Sequence, residues 1–125
     1  MTDAIGKFNA ILQEFLDDLI KVFPEDPELR MASLATRGLS LASPATLHDG
    51  FRERVVVPYG DRILAKDISF FLEEADYSAL TTELTDAGRI VDKVKRMFKN
   101  MTENDQAVVW KYMRMLVLLS RKIAA

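Results

Sequence analysis

Apolar residues near the start of the chain fall at steps of three and four: Ile5, Phe8, Leu12, Phe15, Leu19 and Phe23, with Leu16 and Ile20 beside them. That is the repeat of an amphipathic helix, and Glu14, Asp17, Asp18 and Lys21 take its other side. Pro24 stops it, because proline disfavours helical geometry in the residue before it. Asp26, Pro27 and Glu28 then form a start signal. They supply a capping carboxylate, a proline suited to the first helical position, and an acid at the positive end of the helix dipole. The second helix runs through Leu29, Met31 and Leu34 toward Leu39 and Leu41, with Gly38 weakening its end. Ser43 and Pro44 repeat the cap-and-proline signal. The third helix carries Leu47, Phe51 and Val55 and should end or kink at Pro58. "RVVVPY" is the one place a strand could hide, and the helical spacing upstream argues against it.

After Pro58, Ile63 and Leu64 make a short helical turn. Ile68, Phe70, Phe71 and "LEEADYS" follow as an irregular corner. A helix restarts near Thr85, with Ile90, Val91, Val94, Phe98 and Met101 at helical spacing. Gly88 is tolerated there at a cost of about 1 kcal/mol against alanine. Thr102 and Asp105 form a pair like a capping box. The last helix has its main stripe at Val109, Tyr112, Leu116 and Leu119, widened by Trp110, Met113, Val117 and Leu118, so it is expected at the centre. The fold class is all-α: a compact bundle of five or six helices in a single domain, 1–125. Phe15, Leu19, Val94, Phe98, Tyr112 and Leu116 are expected inside.

About half of the 125 residues are apolar, enough for a core without metal or disulfide staples. There is no cysteine, which removes disulfides, zinc–thiolate sites and thiol catalysis. No run approaches the roughly 20 apolar residues of a membrane span. The acids within the first apolar stretch rule out a secretory signal. The expectation is a soluble, intracellular protein without membrane contact. Charge is uneven: residues 1–30 hold three bases and seven acids, and residues 91–125 hold eight bases and three acids. Such asymmetry fits intramolecular complementarity, a head-to-tail partner surface, or a modest nucleic-acid footprint. The acidic whole, with a pI near 5.4, argues against a dedicated nucleic-acid binder.

No constellation carries catalytic chemistry. His48, the only histidine, has Asp49 adjacent, Glu53 a turn and a residue on, and Ser43 upstream. A base or metal site needs converging partners, and neighbours one apart on a helix do not face each other. A surface histidine is expected. Asp17 and Asp18 diverge for the same reason, so no glycosidase-like pair arises. Glu73, Glu74 and Asp76 lack the EF-hand pattern and read as a solvated loop. Walker, Rossmann and nucleophile-elbow motifs are missing. The reading is therefore not an enzyme, with no cofactor, no metal and no small-molecule substrate. Lys93, Lys95, Arg96 and Lys99 make a positive helix face, and Lys111 and Arg114 lie three apart on the last helix. These six are the candidates for phosphate contact. The simpler reading is a solvated face whose substitution leaves stability almost unchanged. Phe70 and Phe71 point to different sides of their backbone. One plugs the core of the corner, and the other covers a neighbour or adds to a partner surface.

"FNAILQEFLDDLIKVFPEDPELR", "VVVPYGDRILAKDISFFLEEADYS" and "VVWKYMRMLVLLSRK" resemble the opening, middle and tail of small uncharacterised helical proteins of nucleocytoplasmic large DNA viruses of algae and protists. The similarity covers most of the chain but not the stretch from Met31 to Glu53. It implies a viral protein of the host cytoplasm or virion and supplies no catalytic residue. The expected function is a non-enzymatic structural or protein-interaction role, as a virion component or host-directed adaptor, through a protein partner or self-association. The alternative is a nucleic-acid-associated protein using the basic face of its C-terminal helices.

Overall fold

The computed structural model describes residues 3–68 and 87–124, and no strand occurs among them. Helix α1 spans Ala4–Val22, with Asp3 as N-cap accepting from the Ile5 amide at 3.1 Å. Helix α2 spans Pro27–Ala42. Asp26 caps it as the sequence expects, accepting from the amides of Glu28 at 2.9 Å and Leu29 at 3.2 Å, with Pro27 in the first turn. Helix α3 spans Pro44–Phe51. Ser43 stands at its N-cap position, yet its hydroxyl pairs with that of Thr46 at 2.6 Å rather than with a backbone amide.

The helix does not end at Pro58. Helix α3 runs through a π-helical turn, Arg52–Val56, straight into α4, Val57–Leu64. The Val57 amide reaches back five residues to the Arg52 carbonyl. Pro58 has no amide hydrogen, and in a regular helix its ring would collide with the carbonyl four residues back. The wider π turn just before it removes that collision, so three segments make one rod. The rod closes in a Schellman motif: the Lys66 amide bonds Ile63 O at 3.0 Å and the Asp67 amide bonds Arg62 O at 2.9 Å. Lys66 sits at φ 54°, the left-handed conformation that glycine usually supplies.

Helix α5 spans Ala87–Phe98 and α6 spans Glu103–Ala124. Thr102 accepts from the Asp105 amide at 3.2 Å, which is the N-cap half of the expected capping pair. Helix α1 packs on α2, α6 and α3, while α3 packs on α5 and α4 on α6. Phe15, Leu19, Val94, Phe98 and Leu116 are buried as expected. Tyr112 is half-buried, stacked on Phe15 with centroids 4.9 Å apart, and its hydroxyl donates to Asp18. Burial first, and then Asp18, hold its phenol above the ordinary range. Helix α6 is central, with Val109, Met113, Leu116, Val117 and Ser120 all buried, whereas Leu118 faces out. Among the described residues no helix is long and apolar enough to cross a membrane.

Candidate functional site

The six basic candidates do not form one open face. Lys93 is buried: its ammonium lies 2.9 Å from Asp26 Oδ2 and 3.5 Å from Glu28 Oε1, with the side chain only 11% exposed. Arg96 reaches Glu28 at 3.6 Å. Lys95 is buried too, its ammonium 5.5 Å from the centre of the Tyr59 ring, over which Arg62 also lies at 5.4 Å. The expectation of a solvated face whose loss is harmless is thus corrected for Lys93, Lys95 and Arg96. Helix α5 faces acids at the start of α2, so part of the uneven charge of the sequence is met inside the molecule. Lys99, Lys111 and Arg114 are exposed, Arg114 donating to the Leu64 carbonyl at 3.4 Å. Phe70, Phe71, Glu73, Glu74 and Asp76 lie outside the described residues.

Asp26 shows what this docking does electrically. Burial alone would push its carboxyl up. The Lys93 hydrogen bond and charge, with the Leu29 and Glu28 amides, outweigh that and hold it below the usual carboxylate range.

His48 is also corrected: it is buried, not on the surface. Its Nε2 lies 2.8 Å from Ser120 Oγ and its Nδ1 3.4 Å from Asp49 Oδ1. The order serine–imidazole–carboxylate resembles a hydrolytic triad. The geometry opposes that use. Ser120 is fully enclosed on the inner face of α6, so no substrate carbonyl can reach its oxygen. The Asp49 contact is too poorly aligned to bond, and Nδ1 has no hydrogen-bond partner. The imidazole packs edge-on against Phe8 at 5.2 Å. This is a polar rivet between α3 and α6. The sequence hides it, because Ser120 lies 72 residues away. Among the described residues no three His, Asp or Glu side chains converge as a metal site would require.

Helix α2 departs most from expectation. Its large apolar residues were expected to define its course, but they do not all face the core. Leu29 is buried and Leu39 half-buried against the core, and between them the inner face is Ala32, Ser33 and Thr36, all small. Met31, Leu34 and Leu41 point outward, 65%, 68% and 89% exposed. The inner face meets α1 through polar contacts: Gln13 donates to Ser33 Oγ at 2.7 Å and to Asp17 at 3.2 Å. Small residues there let the two helices approach closely, and the larger apolar side chains are left on the solvent side. The outer stripe ends beside a cleft of about 560 Å³ between α1 and α2, walled by Gly6, Asn9, Ala10, Arg37, Ser40 and Leu41. Asn9 is buried there, its amide nitrogen bonded to Pro44 O at 3.0 Å and its Oδ1 without a partner. The signal for this face was in the sequence, as the 3–4–3 spacing of Met31, Leu34, Gly38 and Leu41.

Comparison with known proteins finds no matching family model, no matching curated protein and no matching solved structure.

Proposed function

We propose that this chain acts through its surface and not by catalysis, as a structural or protein-interaction protein whose working face is the outside of α2. The observation that carries the reading is the divided apolar content of that helix: Leu29 and Leu39 face the core with small and polar residues between them, and Met31, Leu34 and Leu41 stand outside. Burying each of the three would contribute about 1.5–3 kcal/mol before the cost of association. With the viral resemblance, the setting we propose is intracellular, as a virion component or host-directed adaptor. Nucleic-acid contact is the weaker alternative, because Lys93 and Arg96 are engaged by Asp26 and Glu28.

The test is affinity capture from the cells that make the protein, comparing wild type with Leu34→Asp/Leu41→Asp. The double variant should keep the wild-type thermal midpoint, since both side chains are exposed, and should lose partners that the wild type retains. Identical partner sets from the two proteins would sink the reading.

A further inference from the structure

The outer face of α2 has a pattern that says what should cover it. Met31, Leu34, Gly38 and Leu41 follow the alternating a and d positions of a heptad seam. One flank of that seam carries Glu28, Ala35 and Ala42, and the other carries Arg30 and Arg37. Gly38, Ala35 and Ala42 leave room for a partner backbone to approach closely.

The charges on the flanks are one-sided. Arg30 and Arg37 are exposed. Arg30 donates to the Pro24 carbonyl, a neutral group that leaves its charge uncompensated. The acid paired with Arg37 is Asp17, at 3.9 Å, with the arginine side chain largely in solvent, Asp17 half-buried and already accepting from Gln13. The only acid of α2 itself, Glu28, is held by Lys93 and Arg96. A second α2 therefore offers these arginines nothing. In an antiparallel pair the two arginine flanks would meet each other, and in a parallel pair each arginine would face an alanine.

We infer that the outer face of α2 docks a partner amphipathic helix with apolar seam residues and acidic flanks, and not a second copy of this chain. The inference rests on α2 being the interaction face and adds the chemistry of its occupant. The seam supplies the apolar contact, and Arg30 and Arg37 select the partner by charge and set its orientation.

Two synthetic helical peptides test this on the full-length protein. Both carry leucine at every a and d position; one has glutamate at the flanks and the other lysine. Fluorescence anisotropy at low ionic strength should show the glutamate peptide binding about tenfold more tightly. Arg30→Glu/Arg37→Glu should reverse the preference, and Leu34→Asp should abolish binding of both peptides. Equal affinity for the two peptides, preference for the lysine peptide, or no binding to a monomeric protein would each overturn the inference. Sedimentation showing a dimer that Leu34→Asp dissociates would overturn it in favour of self-association. That last outcome would leave α2 as the interaction face, so the two readings fail separately.

Discussion

Lys66 occupies a place where glycine would cost nothing. Its backbone is left-handed at the end of α4, and both Schellman hydrogen bonds depend on that conformation. A side chain there is strained by about 1–2 kcal/mol. Lys66→Gly should therefore stabilise the fold by about 1 kcal/mol, read as a higher urea midpoint at unchanged m-value; a lower midpoint would mean that the lysine side chain contributes more than its backbone costs. Other features at this scale were not legible. A helical cap such as Asp26 can be read from four adjacent letters, because its partners are local. The burial of His48 cannot, because it depends on Ser120 and Phe8, which only the tertiary fold brings near.

Helix α5 shows how an element's charges can be read correctly in sign and wrongly in use. The lysines and arginine are on the helix as its periodicity implies, but the start of α2 covers Lys93 and Arg96, and Lys95 lies over Tyr59. Lys93→Met should cost about 1–3 kcal/mol at neutral pH, since it leaves Asp26 without its ammonium partner. The pH dependence follows from the lowered carboxyl. Asp26 binds its proton less readily folded than unfolded, so its contribution is present above the ordinary carboxylate pKa and is lost as pH falls through the folded value. The difference in urea midpoint between wild type and Lys93→Met should be largest near neutrality and close in acid. A difference independent of pH would show that Lys93 contributes through packing alone. Helices α1 and α6 were legible because their apolar stripes are long and continuous. The inward side of α2 was not, because Ala32, Ser33 and Thr36 carry no hydrophobic signal strong enough to outweigh Met31, Leu34 and Leu41. The π turn has no local sequence signal either: proline implies a break, and only the neighbouring turn decides whether a helix can absorb it.

On the scale of the whole molecule, the fold is a bundle closed by its last helix on its first. Leu116 is fully enclosed in that closure, and Leu116→Ala should cost about 2–5 kcal/mol by equilibrium denaturation; an unchanged midpoint would place the inner face of α6 elsewhere. The packing of α1 on α6 also bears on how the chain is made. Translation delivers α1 first and α6 last, at about 5–20 residues per second, so roughly 5–20 s separate the two. Helix α2 arrives early, but between Leu29 and Leu39 its inner face is small and polar. Until α6 emerges, Phe15 and Leu19 have only part of their native cover, and the growing chain carries a greasy helix into the crowded space outside the ribosome tunnel. A ribosome stalled before Glu103 would hold a nascent chain whose α1 still lacks that cover, and emergence of the 22 residues of α6 would supply it.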